Sequence, residues 1–155
     1  MKKNEIRKYG WIILLVIALI ILDQTVKIIA QELLNVRNEV SINQEIITAI
    51  ITDIIVIAMV IRFMIVQRDK MYKFTQISLS LILAGGIGNL IDKIFKGGKI
   101  NFIDISALVP KFPTFNVADI LLIVGFIIFV ITVAVNLFSL RKGEVEIQNE
   151  QTNNS

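Results

Sequence analysis

Long apolar runs cut short by polar clusters organise the chain, and each run ends where charge or amide residues gather. The first, 11–22, follows Lys2, Lys3, Arg7 and Lys8 and so imitates the basic and apolar regions of a secretory signal. No small-residue cleavage site comes after it. Asp23-Gln24-Thr25-Val26-Lys27 instead continues a helical pattern to about Ala30, which gives a retained span of about the 20 residues that a bilayer requires. The stretch 31–52 mixes polar and β-branched residues and predicts a short extended segment outside the bilayer core. Thr52-Asp53 resembles a helix N-cap, so the second span is expected over 53–67, interrupted by Arg62. A charged turn leads to a third span at 74–91, with Ala84-Gly85-Gly86-Ile87-Gly88 near its far end. Lysines, glycines and both prolines mark 92–117 as a structured loop, and Asp119 opens a fourth span to about Leu140. The pattern therefore predicts an all-α membrane protein. Its spans, at about 9–30, 53–67, 74–91 and 119–140, form a four-transmembrane-helix bundle with a small extracytoplasmic β-rich or loop region. Residues 1–140 make one domain, and 141–155 a disordered, polar cytoplasmic tail.

Composition supports the bilayer reading, because 55% of the 155 residues are hydrophobic and the mean hydropathy is +0.73, more than one soluble core hides. The net charge of +3 does not point to nucleic acid, since no basic stripe with interleaved aromatics is present. The basic residues flank the apolar runs and read as topology signals. They place both termini in the cytoplasm and the loops after spans one and three outside, although Lys93, Lys96, Lys99 and Lys111 oppose that bias. The absence of Cys excludes disulfides and thiolate metal sites, and the absence of His removes the commonest general base and zinc ligand. Any hydrolysis falls to Asp, Glu, Ser, Lys or water. Four spans are too few for a repeat-type transporter, while an oligomeric channel with Asp23 and Asp53 as pore charges stays compatible with the pattern.

One spacing occurs twice at the inner edges of two apolar runs: Asn89-Leu90-Ile91-Asp92 and Asn116-Val117-Ala118-Asp119. Residues three apart share a helix face, so each Asn is placed to orient its Asp, and two such faces meeting would bring two carboxyls together. Close carboxylates do not both ionise easily, the physical basis of an aspartic acid/base dyad. Each copy also has a plainer reading. The first is a polar helix end, although the glycines before Asn89 permit close approach of another backbone or a substrate. The second is a capping box, with Asn116 as N-cap and Asp119 at the third helical position. The two copies on one side of the membrane together favour a site. Asp23 and Lys27, four apart with the acid first, read as a self-neutralising helical ion pair. Asp104 reads as a solvated loop acid, with a third carboxylate near the site as the alternative. Ser78, Ser80 and Ser106 lack a lysine at a helical spacing suited to a Ser–Lys dyad.

These residues resemble the lipoprotein signal peptidases, the type II signal peptidases of bacteria. The resemblance lies in Asp23-Gln24-Thr25-Val26-Lys27, in Gly85-Gly86-Ile87-Gly88-Asn89-Leu90-Ile91-Asp92-Lys93, and in Phe112-Pro113-Thr114-Phe115-Asn116-Val117-Ala118-Asp119, and it covers about Tyr9 to Leu140. It implies an integral-membrane aspartic endopeptidase that removes the signal peptide of diacylglyceryl-modified prolipoproteins just before the lipidated cysteine. Such an enzyme needs neither metal nor other cofactor and has membrane lipid around it; we expect a monomer. Asp92 and Asp119 match the catalytic pair, Asn89 and Asn116 the supporting amides, and Asp23, with Lys27 in the same motif, a further polar position. Three departures stand out. The usual Asp-Arg is Asp92-Lys93, an Asn-Gly-Ala motif is represented at best by Asn43, and the usual Asp-Phe is Asn101-Phe102, with Asp104 retained. A non-catalytic paralogue that binds lipoproteins or a lipid-like ligand is the alternative these departures leave.

Overall fold

The structure is a computed structural model that describes residues 3–35, 44–67 and 71–153. Asn43 and the charged turn at 68–70 lie outside the described residues. Four helices follow one another: α1 (Lys3–Leu34), α2 (Gln44–Val66), α3 (Lys73–Lys96) and α4 (Val117–Asn153). Each contains a stretch long and apolar enough to cross a membrane: Gly10–Leu34, Gln44–Val66, Lys73–Lys96 and Val117–Ser139.

The buried positions explain the packing. On α1 they are Ile12, Asp23, Lys27 and Ala30, a stripe at helical spacing that faces α3, while the other faces stay apolar and exposed as a bilayer requires. α3 is the central helix. Leu79, Leu83, Ala84, Gly85, Gly88, Asn89 and Asp92 are buried along it, and it packs against each of the other three. A Cβ at Gly85 would stand 2.5 Å from the carbonyl oxygen of Ala118, so only glycine lets α3 approach the start of α4 this closely. α2 is peripheral, with no buried residue, and touches α4 through an edge-to-face pair, Phe63 and Phe129, with centroids 6.1 Å apart. Gly97, at φ 69°, closes α3 in the left-handed conformation.

Three expectations need correction. The loop between α3 and α4, expected to be β-rich, is not: among the described residues it holds a single isolated bridge, Ile103 to Phe115. Its two bonds, Ile103 N–H to Phe115 O at 2.9 Å and the return at 3.0 Å, fold the loop back without enough flanking pairs to extend a ladder. α2 starts at Gln44 and not at Thr52-Asp53, where the Thr52 hydroxyl donates to Thr48 O within the helix. β-branched residues such as Ile46, Ile47 and Ile50 suit an apolar helix in lipid as well as a strand. Finally, α4 continues to Asn153, because no proline interrupts the stretch after Lys142 that the sequence suggested was disordered.

Candidate functional site

The polar residues singled out in the sequence converge at one end of the bundle, but into two clusters with separate partners. The first is sealed. Asp23, Lys27 and Asp92 are all 0% exposed. The Lys27 ammonium lies 2.7 Å from Asp23 Oδ2 and 2.5 Å from Asp92 Oδ2. Lys96 Nζ, one helical turn beyond Asp92, stands 3.1 Å from its other oxygen, and Gln24 Nε2 donates to that oxygen at 3.2 Å. Two carboxylates face two ammonium groups, so the cluster is neutral, as burial demands. Asp23 does more than pair with Lys27, because its Oδ1 accepts the Ala118 N–H at 2.8 Å. A carboxylate of α1 thus caps the first turn of α4, where free N–H groups and the helix dipole favour negative charge. Gly88 makes room for it, since a Cβ there would come 2.6 Å from Asp23 Oδ2.

The second cluster opens outward. Asp119 N–H donates to Asn116 Oδ1 at 3.0 Å, and Asn116 N–H donates to Asp119 Oδ2 at 3.3 Å, the reciprocal pair of a capping box. The plainer reading of this motif is therefore realised, and it does not exclude chemistry: the cap is what orients the carboxylate. Asn89 Nδ2 donates to Asp119 Oδ1 at 2.9 Å, and Lys99 Nζ lies 2.5 Å from the same oxygen. Asn116 Nδ2 donates in turn to Asn89 Oδ1 at 3.2 Å, Ile100 O at 3.0 Å and Asn101 Oδ1 at 3.0 Å. Both NxxD copies thus meet through Asn89, Asn116 and Asp119, but among the described residues Asp92 and Asp119 have no partner in common.

Asp119 lines a cavity of about 500 Å³ together with Lys99, Asn101, Phe112, Phe115 and Leu122. Phe112 and Phe115 meet edge to face with centroids 5.9 Å apart and form an apolar wall. Leu122 also lines a narrower slot of about 160 Å³ that runs between α2, α3 and α4 and holds Asn89, Gly86 and Asp53. Lys93 does not reach Asp119. It pairs with Asp53 Oδ2 at 2.5 Å and ties the peripheral α2 to α3. Asp104 is exposed and accepts the Ser106 N–H at 2.8 Å; that backbone bond and the Ser106 hydroxyl hold its carboxyl below the ordinary range. Ser78 and Ser80 spend their hydroxyls on the carbonyls of Thr75 and Gln76 in their own helix.

Sequence reasoning passed over Lys96, Lys99 and Gln24. Lys96 stands four residues after Asp92 with the acid first, the same spacing that marked Asp23 and Lys27. Lys99 gave no such signal, because its contact with Asp119 spans a loop.

Comparison with known proteins gives consistent neighbours. The sequence pattern of the family described as signal peptidase (SPase) II matches residues 15–135. The lipoprotein signal peptidases of Staphylococcus aureus strains JH9 and Newman are 39% identical over 98 residues, 63% of this chain. The match spans 58% of their own length. A bacterial membrane enzyme solved at 1.9 Å superposes with a TM-score of 0.69 at 28% identity, covering 80% of this chain and 92% of the other. A second bacterial membrane enzyme, solved at 2.3 Å, shares the fold with a TM-score of 0.69 at 24% identity, covering 83% and 90%.

Proposed function

The chain belongs to the signal peptidase II family, and from that premise we propose that it is a membrane endopeptidase that cuts diacylglyceryl-modified prolipoproteins just before the lipidated cysteine. The observation that supports this most is the Asp119 carboxylate, held by Asn89, Asn116 and Lys99 at the edge of a cavity large enough for a peptide segment. Asp119 takes a proton from a water, the resulting hydroxide adds to the scissile carbonyl, and the proton passes to the departing amine as the C–N bond breaks. The precursor's apolar segment and acyl chains stay in lipid beside α2 and α4. The Phe112–Phe115 wall holds the peptide across the carboxylate.

In this reading Asp92 is a positioning residue. The sequence pairs it with Asp119 as a dyad, yet its burial and its bonds to Lys27, Lys96 and Gln24 direct it to the α1–α3 contact. Both termini lie in the cytoplasm and the Asp119 cavity faces outside. Lys2, Lys3, Arg7, Lys8, Arg141 and Lys142 flank the opposite ends of the spans and support this orientation, and Lys93, Lys96 and Lys99 on the Asp119 side pair with Asp53, Asp92 and Asp119.

The test is cleavage of a diacylglyceryl-modified precursor by the purified chain in proteoliposomes. Asp119→Asn is expected to lower the rate by roughly 10²-fold or more, the usual loss with a positioned acid/base group. Undiminished cleavage by that variant would remove Asp119 from the chemistry.

A further inference from the structure

An aspartic peptidase divides its work between two carboxyls facing one water, since one takes a proton while the other gives one. Among the described residues the cavity at Asp119 is lined by a single carboxylate, and the neutral polar side chain on the same lining that shares Asn116 with it is Asn101. The orientation of Asn101 follows from that shared partner. Asn116 Oδ1 accepts the Asp119 N–H, and its Nδ2 also donates to Ile100 O, so Nδ2 is the end that meets Asn101 and the atom it meets is Oδ1. The amino end of Asn101 has no partner among the described residues and is the end left for the cavity. A carboxyl at this position would accept the same Asn116 N–H on one oxygen and turn the other to the cavity. A carboxamide of the same shape can donate a hydrogen bond but gives up no proton as a general acid at neutral pH.

We propose that Asn101 stands in the place of the second carboxyl of a dyad with Asp119, so that the encoded chain retains bound precursors and cuts them slowly. The proposal rests on the peptidase reading of this cavity. Asp92 does not supply the missing group, because its oxygens are occupied in the sealed cluster. Asp119 alone takes a proton from water and returns it to the amine, but among the described residues no second carboxyl on the cavity lining gives a proton to the carbonyl oxygen as the hydroxide adds. With a carboxylic acid at position 101, that oxygen receives its proton from the acid; the C–N bond then breaks as the amine takes a proton from Asp119 and one hydroxyl of the gem-diol returns its proton to the carboxylate at 101, so the net change is one water consumed. Lys99, beside Asp119, offsets the added charge.

The experiment compares the full chain with Asn101→Asp, Asn101→Ala and the double variant Asn101→Asp/Asp119→Asn in proteoliposomes, using single turnovers of a diacylglyceryl-modified precursor. The Asp substitution is expected to raise the cleavage rate by roughly 10²-fold or more with KM little changed. The Ala substitution gives no gain, and the double variant returns to the unsubstituted level or below. A pulse–chase on the unsubstituted chain adds a readout that needs no variant: bound precursor is expected to leave intact more often than cut. A rate for Asn101→Asp at or below that of the unsubstituted chain, a gain that survives Asp119→Asn, or unsubstituted chain that cuts before it releases each overturns the proposal and leaves the peptidase reading standing. No cleavage by either the unsubstituted chain or Asn101→Asp overturns the reading and the proposal together.

Discussion

Lys27 is the residue on which the sealed end of the bundle depends most. Its ammonium sits between two fully buried carboxylates, and removing it leaves both without their shared cation. Lys27→Met is expected to destabilise the fold by about 3–5 kcal/mol, the usual cost of breaking a buried pair from one side. The denaturation midpoint in detergent checks this, and an unchanged midpoint would mean that the cluster is not holding α1 to α3. Asp104 offers a contrast. Its lowered carboxyl favours the folded loop above the ordinary carboxylate pKa, and that contribution is lost as pH falls through the lowered value. Because it is an exposed loop acid, Asp104→Asn is expected to leave the cleavage rate at neutral pH unchanged; a large loss would place it in the site. At this scale, local pairs were legible and distant ones were not. Asp23 and Lys27 show their contact through helical spacing, and Asn116 and Asp119 show theirs as a cap. The second partner of Lys27 depends on how α1 meets α3, and the place of Asn101 depends on how the outer loop folds back at the Ile103–Phe115 bridge.

The elements differ in how tightly their neighbours hold them. α3 is fixed on three sides, and Gly88 is the point where its backbone, the Asp23 carboxylate and the start of α4 crowd together. Gly88→Leu is expected to push Asp23 off the Ala118 N–H, with a loss of about 1–3 kcal/mol from overpacking and reduced cleavage. Parallel unfolding and cleavage assays check it, and full activity at normal stability would show that Asp23 does not set the start of α4. Span number was legible because each apolar run is long enough to cross a bilayer. Boundaries were less so: the aliphatic residues at 46–51 suit either a strand or a lipid-facing helix, and only the packing of α2 on α3 decides between them.

Across the whole molecule, the end of the bundle that carries Asp92 and Asp119 combines burial with near-neutrality. Each lysine of the Lys93, Lys96 and Lys99 series meets an acid from α2, α3 or α4. That pairing and the single-carboxylate cavity express the same organisation: a sealed ion cluster positions the helices, and one oriented carboxylate remains open beside it. We propose that this carboxylate cuts a lipidated precursor. The most direct measurement is the intact mass of the products after a diacylglyceryl-modified precursor is incubated with the chain in proteoliposomes. The expected product is a fragment that begins at the lipidated cysteine, whose formation is lost in Asp119→Asn. The same fragment at the same rate from that variant, or a cut at another bond, would contradict it.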